Sequence, residues 1–557
     1  MKDSHVCSNK TVYGIAFVAA LVCLLVYLRA LSCGFVNWED QDYVINNTAI
    51  RHLNRDFFVW AFTTMPMAFW LPLTWLSFAI DYHFWGLNPY GYHLTNILLH
   101  AANSGLVVLL ADRLLQRGRW LEKVRGSGWP YYLYPLMLLC AGLVWGIHPA
   151  RVESVAWVTE RKDVLNGLFT IGSMLLYLQY VQNKESGAGK GTLFRAYAGA
   201  VLLFACSLMA KPTSVVLPGL LLVMDWYPLG RFRKGAVLNV LAEKVPFIAL
   251  SAGLTLLTVY SGAQQNALNT FSEFPFWLRM VASGNSLFEY VRVMVYPVGI
   301  LPYYDLPRAI PQVYIVKAVV VAVVLCSVIW WGKKLPWLAA VMLSFILPLV
   351  PILHITANGN QLILAPRYTY LSSLLPCLIL TGMAVAAFQK VACSWPKYRQ
   401  CGIAVLMAGL LVFYAAMTQR VIGFWHDSGA MWSRVIAYQP FDKAYFYRGL
   451  YYVDSGNFLA AVDDYSTCLA YALKDGNPEI YNLYAFRGEA LIKAGRYEEG
   501  VQDFSAAISL FPHRLYYFHR GTALQALGKI REAGEDVARA GQAKGQIYWF
   551  SHGSSLQ

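Results

Sequence analysis

Repeated apolar runs, each close to the length that a helix needs to cross a lipid bilayer, constrain the fold of this chain most strongly. A transmembrane helix needs roughly 20 mostly apolar residues, and runs near this length recur up to about residue 420. Only helices and closed barrels satisfy their own backbone hydrogen bonds in hydrocarbon. We therefore predict an all-α, polytopic membrane helix bundle, with eleven approximate spans at 11–31, 92–111, 131–147, 164–182, 196–210, 213–225, 245–260, 312–331, 336–353, 368–388 and 402–418.

Composition and the placement of basic residues predict a multi-pass membrane protein with a defined orientation. With 57% hydrophobic and 14% charged residues, the chain is too apolar for an ordinary soluble protein. Short cytoplasmic loops hold an excess of Lys and Arg, and such loops alternate here at 113–125, 184–195, 231–244, 333–334 and 390–399. With a cytoplasmic N-terminus, eleven spans place the chain after about residue 420 on the extracytoplasmic side. In a bacterial inner membrane, the location that we predict, this side is the periplasm.

The net charge of +14 arises from the basic loops that set the membrane orientation, and it gives no reason to expect a nucleic-acid partner. Residues 425–557 contain nearly equal numbers of acids and bases, so the excess of positive charge lies in the apolar half. The first apolar run is not followed by a small-residue cleavage pattern, which favours an uncleaved anchor. We predict two domains, a transmembrane domain at 1–424 and an extracytoplasmic domain at 425–557.

An acidic cluster follows directly on the first apolar run. The sequence Trp38-Glu39-Asp40-Gln41-Asp42 places three carboxylates at the water edge of the membrane. Because a charged side chain in the centre of a bilayer costs roughly 3 kcal/mol or more, acids at the mouth of a bundle are candidates for a functional site. Asp40 and Glu39 are therefore candidate catalytic residues. The alternative is a solvated loop that only ends the helix.

The second predicted extracytoplasmic loop carries charges of both signs. Pro149 suits the first turn of a helix, and Glu153, Trp157 and Arg161 recur every four residues, which predicts one stripe along that helix. Arg161 and Lys162 fit a phosphate group at the level of the lipid headgroups. The alternative is an interfacial helix that is held by salt bridges.

Two further cations are predicted at the same mouth. Lys211 is the only charge between two apolar runs, and either snorkels or binds an anion. Arg367, in a Pro-Arg-Tyr sequence, stands at the entrance to the tenth span. Residues 276–296 are amphipathic and predict a re-entrant or surface-lying segment. His93 and His100 share one helix face, and their spacing favours hydrogen bonding between helices over metal binding.

A self-similar pattern begins after residue 440. Arg-Gly dipeptides, each with a further Gly seven residues on, recur at Arg448-Gly449, Arg487-Gly488 and Arg520-Gly521. Small and aromatic residues follow at the positions that tetratricopeptide repeats use for packing. Three helical hairpins predict a small α-solenoid with a concave face that binds peptides. A purely structural array is the alternative.

Taken together, these motifs resemble the transmembrane and tetratricopeptide repeat-containing O-mannosyltransferases and their bacterial relatives, within the GT-C glycosyltransferases. The resemblance implies a polyprenyl-phosphate sugar donor, mannose or another hexose as the sugar, and a Ser/Thr hydroxyl of a protein as the acceptor, with the acids of the first loop as catalytic carboxylates. Relatives typically have Trp-Asp-Asp where this chain has Trp38-Glu39-Asp40. The departure leaves open which acid performs the chemistry.

An inverting transfer needs a base for the acceptor hydroxyl and cations for the departing lipid phosphate. Asp40, with Glu39 as its rival, is the predicted base. The predicted phosphate-binding residues are Arg161, Lys162, Lys211 and Arg367. The predicted sugar and acceptor residues are His148, Glu153, Asp163 and His93. A divalent metal ion could take over part of the role of the cations. Two other functions remain open, a transferase with a glycan or lipid acceptor and a non-catalytic scaffold that binds partners through the repeats.

Overall fold

The computed structural model describes residues 8–117, 133–264, 275–307, 310–355, 362–392, 397–474 and 476–541. Over these residues the regular structure is helical, and the one extended pairing is an isolated bridge between Asp305 and Leu362. The predicted all-α fold is therefore confirmed. Most of the predicted basic loop at 113–125 and the middle of the loop at 390–399 lie outside the described residues.

The chain separates into two compact units. The first unit contains Met1–Phe35 and Asp40–Trp425, and the second contains Val36–Glu39 and His426–Gln557. The predicted domain boundary at 424 stays a prediction.

Seventeen α-helices, α1–α17, lie in the described part of the first unit. In chain order they are Asn9–Tyr27, Arg55–Thr63, Pro72–Trp85, Pro89–Arg117, Leu133–Gly146, Val152–Ala156, Arg161–Glu185, Lys190–Ala210, Leu217–Trp226, Val237–Ala242, Val245–Gln264, Phe276–Val295, Gln312–Trp331, Pro336–Ile346, Thr369–Ser372, Leu374–Ala392 and Lys397–Ile422. Short helical turns connect several of them, at Leu28–Ser32, Gln41–Ile45, Thr48–Arg51, Pro66–Ala68, Pro149–Arg151, Val158–Glu160, Pro212–Val216, Leu347–Ile352, Pro366–Tyr368 and Gly423–Trp425.

Seven helical stretches among the described residues are long and apolar enough to cross a membrane: Asn9–Ser32, Pro89–Gln116, Val158–Glu185, Lys190–Ala210, Val245–Gln264, Gln312–Trp331 and Val405–Trp425. An eighth would be the pair Tyr134–Gly146 and Pro149–Ala156, which is bent by 49°. Shorter apolar helices at Pro212–Trp226, Pro336–Ile352 and Leu374–Ala384 overlap the other predicted spans. The chain is a multi-pass membrane protein, and the number of eleven spans stays a prediction. Helix α12, Phe276–Val295, is not among these candidates.

Small residues allow the helices at the centre of the first unit to pack closely. Helix α1 packs on α4 and α5, α4 packs on α7, and α7 packs on α8. A Cβ atom at Gly142 would lie 2.6 Å from the side chain of Val108, and one at Gly105 would lie 3.1 Å from the carbonyl oxygen of Ala16. Van der Waals packing of this kind is a main source of helix association in lipid, and it brings the first turns of α6 and α7 beside α4.

The described part of the second unit contains seven α-helices, α18–α24: Ser428–Ile436, Asp442–Asp454, Phe458–Lys474, Ile480–Lys493, Tyr497–Leu510, Arg514–Ala526 and Ile530–Ala540. The last six pack as three successive pairs with the same internal ion pair, Arg448–Asp464, Arg487–Asp503 and Arg520–Asp536. Each arginine donates from Nε and Nη2 to both carboxylate oxygens at 2.7–2.8 Å. The tetratricopeptide assignment of these pairs stays a prediction.

Candidate functional site

Asp40 is buried and is held by one residue of the second loop. Its side chain is 1% exposed. Oδ1 accepts a hydrogen bond from the backbone N–H of Thr159 at 2.9 Å and from the Thr159 hydroxyl at 2.5 Å. Because both donors reach the same oxygen, they fix the orientation of the carboxylate. Glu39, the rival base, is half-buried and belongs to the second unit.

The prediction of one continuous helix with Glu153, Trp157 and Arg161 on a single stripe is wrong. Helix α6 ends at Ala156, Trp157 adopts an extended backbone with φ −88° and ψ 120°, and α7 begins only at Arg161. The break allows the Trp157 ring to stack on Trp425 with centroids 5.5 Å apart.

Asn96 of α4 stabilises this break. Its Nδ2 atom donates to the carbonyl oxygens of Val155 and Trp157, both at 3.2 Å, and its Oδ1 atom accepts from Nε of Arg161. Carbonyl groups that a helix break leaves without an intrahelical partner need such a donor when they are buried. The break places Thr159 and Glu160 on a short turn and leaves both facing the site.

Three cations from different parts of the chain converge on the Glu160 carboxylate, which is 2% exposed. Its Oε2 lies 2.7 Å from Nζ of Lys211, and its Oε1 lies 3.5 Å from Nζ of Lys162 and 3.3 Å from Nε of Arg367. We refer to Lys162, Lys211 and Arg367 as the cation cluster. Glu160 is not among the site residues predicted from the sequence, although it stands directly before Arg161.

Asp163 and Glu153 complete the pairing of the cation cluster. Oδ1 of Asp163 lies 2.7 Å from Lys211, and its Oδ2 accepts from the Ser154 hydroxyl at 2.9 Å. Burial alone would lower the pKa of Lys211, but Asp163 and Glu160 outweigh it and raise the pKa above the ordinary lysine value. Glu153 accepts from both the backbone N–H and the guanidinium of Arg367.

Aromatic rings also contact each member of the cation cluster. The guanidinium of Arg367 lies 5.3 Å from the ring centre of Trp157 and 4.9 Å from that of Tyr368. Nζ of Lys211 lies 5.6 Å from the Tyr368 ring, and Nζ of Lys162 lies 4.4 Å from the Tyr43 ring. These cation–π contacts hold the charged groups in place without adding negative charge.

Arg161 bonds to other residues than the cation cluster does. It is 0% exposed, and its guanidinium donates to Asp81 at 2.6 Å and to the backbone oxygen of Tyr92 at 2.8 Å, as well as to Asn96. Asp81 neutralises its charge. Lys162, Lys211 and Arg367, in contrast, remain 8%, 7% and 5% exposed.

Arg151 is a charged residue of the site that sequence analysis overlooked. It is 0% exposed and donates to the hydroxyls of Thr369, at 2.9 Å, and Ser373, while its guanidinium lies 5.4 Å from the Trp145 ring. None of the described carboxylates forms an ion pair with it. The sequence signal was a further arginine in the same loop, in His148-Pro149-Ala150-Arg151. Apart from the Arg161–Asp81 pair, Arg151 and the cation cluster give four buried cations beside four buried acids, Asp40, Glu153, Glu160 and Asp163.

The predicted sugar-site histidines are buried beside these groups. Nδ1 of His148 accepts from the N–H of Ala150 at 3.2 Å, and its Nε2 donates to the backbone oxygen of Met294 at 3.1 Å. His93 is 0% exposed on α4. On the same helix, His100 bonds to the Tyr370 hydroxyl and the Gly146 oxygen, both at 2.8 Å, as predicted for contacts between helices. The sugar-site role of His148 and His93 stays a prediction.

The described side chains hold no group of three or more His, Cys, Asp and Glu residues arranged to bind a metal ion. Glu153, Glu160 and Asp163 are instead paired with Lys and Arg. Chemically, the arrangement combines an oriented carboxylate, at Asp40, with three cations that pair with Glu160, the residue after its partner Thr159. Such a site suits proton transfer beside a phosphate group.

Comparisons with known proteins identify relatives of this chain. No family model and no solved structure matches it. Protein O-mannosyl-transferase TMTC2 of Mus musculus is 30% identical over 189 residues, 34% of this chain and 20% of the mouse protein. Protein O-mannosyl-transferase Tmtc1 of Drosophila melanogaster is 30% identical over 237 residues, 40% of this chain and 24% of the fly protein.

A third relative gives the same picture. Protein O-mannosyl-transferase TMTC4 of Homo sapiens is 29% identical over 226 residues, 39% of this chain and 30% of the human protein. The chain thus spans less than a third of the length of each of these relatives. The matches confirm the resemblance expected from the motifs: over 34 to 40% of its length, this chain is similar to TMTC protein O-mannosyl-transferases.

Proposed function

We propose that this protein is a membrane glycosyltransferase that moves mannose or another hexose from a polyprenyl-phosphate donor to a Ser/Thr hydroxyl of a protein, on the extracytoplasmic side. One observation carries the proposal: Thr159 orients the Asp40 carboxylate, and the next residue, Glu160, gathers three cations. The names of the TMTC relatives support the same class of reaction.

Asp40 is the proposed base. As the acceptor oxygen attacks the anomeric carbon, its proton passes to the carboxylate, and the bond between that carbon and the phosphate oxygen breaks with inversion. The polyprenyl phosphate departs with the electron pair of the broken bond. The Thr159 hydrogen bonds support this role because they direct the carboxylate before the substrates bind. Glu39, in the second unit, remains the rival base.

Lys162, Lys211 and Arg367 are the proposed phosphate-binding residues. Charge-assisted hydrogen bonds from such groups stabilise the negative charge that develops on a departing phosphate. The three residues retain some solvent exposure, whereas Arg161 has none. We therefore propose that the cation cluster contacts the donor. Arg161, in this proposal, does not contact the donor and stabilises the structure around the site through its ion pair with Asp81. In this proposal, the sugar site is shaped by the two acids that pair with the cations, Asp163 and Glu153, and by two histidines, His148 and His93.

The experiment gives purified full-length protein a polyprenyl-phosphate hexose and a Ser/Thr-rich peptide, and follows the product by mass. Asp40→Asn should lower turnover by about 10²–10⁴-fold, the usual cost of losing a general base, while donor binding is retained. Glu39→Gln should have a smaller effect. Asp56→Asn, at an exposed acid of the same loop, is the matched control and should behave like the unaltered protein.

Near-normal turnover in both Asp40→Asn and Glu39→Gln would contradict the catalytic assignment. Hexose that appears only in lipid or glycan products would contradict the protein acceptor. A protein that binds no donor and forms no product under any of these conditions would favour the scaffold alternative.

A further inference from the structure

Four residues immediately before Asp40 belong to the second unit, although the chain on both sides of them belongs to the first. Phe35 and Asp40 are residues of the first unit, and Val36–Glu39 lie between them. The chain therefore leaves the first unit after its first membrane-capable helix and re-enters it at the proposed base.

Asn37 anchors this short segment within the second unit. Its backbone N–H donates to the Ser428 hydroxyl at 2.8 Å, and its Nδ2 donates to the backbone oxygen of Tyr447 at 2.7 Å. Its Oδ1 accepts from Nε1 of Trp432 at 2.9 Å. Asn37 is 7% exposed and Trp432 is 0% exposed, so these bonds are made away from competing water.

Aromatic stacking reinforces the anchor. The rings of Trp432 and Tyr447 lie parallel within 10°, with centroids 5.0 Å apart, and Trp38 meets Trp432 edge to face at 6.3 Å. Tyr447 lies on α19, next to Arg448, which forms the ion pair of the first helix pair with Asp464. The contacts of Asn37 therefore reach the first of the three repeated helix pairs.

We propose that Asn37 is a positioning residue: its bonds hold the chain three residues before Asp40 and thereby set the position of the base in the transfer reaction. The inference rests on the proposed function. Three residues of chain span at most about 10 Å, which makes Asp40 sensitive to the place at which Asn37 is held. Thr159 holds the carboxylate of Asp40, and Asn37 holds the chain three residues before it.

The physical cost of losing the anchor is misplacement of the base. A shift of about 1 Å in a reacting group can cost roughly 10²-fold in rate without any loss of the chemical group itself. Removal of the anchor should therefore lower kcat and leave the cation cluster, and with it donor binding, unaffected.

Two variants test the anchor in the full-length protein. Asn37→Ala removes both amide contacts, and Trp432→Phe removes one donor but preserves the stacking on Tyr447. Arg487→Gln is the matched control, since it weakens an ion pair of the same unit that does not contact Asn37. The readouts are kcat with a Ser/Thr peptide, the Kd for polyprenyl phosphate, and hydrogen exchange of the turn Gln41–Ile45.

Asn37→Ala is expected to lower kcat by about 10²-fold, with Trp432→Phe intermediate, at an unchanged Kd and with faster exchange of Gln41–Ile45. Arg487→Gln should leave all three readouts near those of the unaltered protein. Unchanged kcat and exchange in both test variants would overturn the proposal, as would losses of kcat and donor-binding capacity that run in parallel, because these would indicate unfolding. The exchange readout does not depend on the donor, so a wrong assignment of the reaction is distinguishable from a wrong role of Asn37.

Discussion

Glu160 determines the electrostatic balance of the candidate site at the scale of single residues. Its carboxylate is the shared partner of Lys162, Lys211 and Arg367. Removing one partner of a buried ion pair costs about 3–5 kcal/mol, because the remaining charge stays without compensation. The pairs of this site are therefore interdependent, and the informative substitutions are those that leave every acid with at least one cation.

Lys162→Gln is such a substitution, because Glu160 retains Lys211 and Arg367. We expect it to weaken binding of polyprenyl phosphate by about tenfold or more, since a hydrogen bond to a charged group contributes about 1.5–3 kcal/mol. The melting temperature in detergent should change little. Donor titration with purified protein measures the effect, and an unchanged Kd would remove Lys162 from the phosphate site.

Arg161→Met should give the opposite pattern. It leaves the Asp81 carboxylate buried without its cation, and we expect a loss of about 3–5 kcal/mol in the free energy of unfolding. The double variant Asp81→Asn/Arg161→Gln carries no buried charge at this pair and should recover part of the loss. Thermal unfolding and donor titration are compared across the three proteins. An Arg161→Met protein with normal stability but weak donor binding would return Arg161 to the phosphate site that the sequence predicted.

The break between α6 and α7 is the decisive feature at the scale of secondary structure elements. A continuous helix would direct the Thr159 and Glu160 side chains according to the helical repeat, whereas the extended Trp157 starts a new turn. The turn places Thr159, the hydrogen-bond partner of Asp40, directly before Glu160, whose carboxylate pairs with the cation cluster. Asn96, which contacts both sides of the break, is its main support.

Asn96→Ala tests the importance of the break. Loss of donors to two buried carbonyls should destabilise the protein by about 1–3 kcal/mol and lower turnover per folded molecule by tenfold or more, since Thr159 loses its fixed position. Asn103→Ala is the matched control: Asn103 lies two turns further along α4 and also donates to a backbone oxygen, that of Val164, at 2.8 Å. Equal turnover per folded molecule in the two variants would show that the break is only structural.

Helix α7 connects two charged regions at the scale of the first unit as a whole. It has 25 residues, and at about 1.5 Å per residue it extends about 37 Å, enough to cross a bilayer. Lys184 in its last turn joins Arg231 on the Glu243 carboxylate, each at 2.8 Å, and Lys244 pairs with Asp225 at 2.7 Å. Burial raises the pKa of Glu243, but hydrogen bonds from Arg231 and Lys184 outweigh it and lower the pKa to about 2. The excess of cations at this end agrees with the proposed cytoplasmic orientation.

Reporter fusions test this orientation. A reporter fused after residue 425 should behave as extracytoplasmic, and one inserted in 113–128 should behave as cytoplasmic, because basic loops alternate along the chain. Alkaline phosphatase and a fluorescent protein that folds only in the cytoplasm are complementary reporters. A cytoplasmic location of the chain after residue 425 would mean that one membrane span has been miscounted, most directly at Phe276–Val295.

The amino-acid sequence by itself determined the helical class, the membrane-capable helices and the charged groups available to the site. These features depend on local composition and on the length of apolar runs, because a helix that crosses a bilayer must be long enough and apolar along most of its length. Only the tertiary structure decided which charges are paired. Arg161 is bonded to Asp81, 80 residues earlier, and Arg367 to Glu153, 214 residues earlier. Equal sequence signals for the two arginines thus led to different surroundings, because the partner of a buried charge is chosen by packing between distant helices and not by its neighbours in sequence.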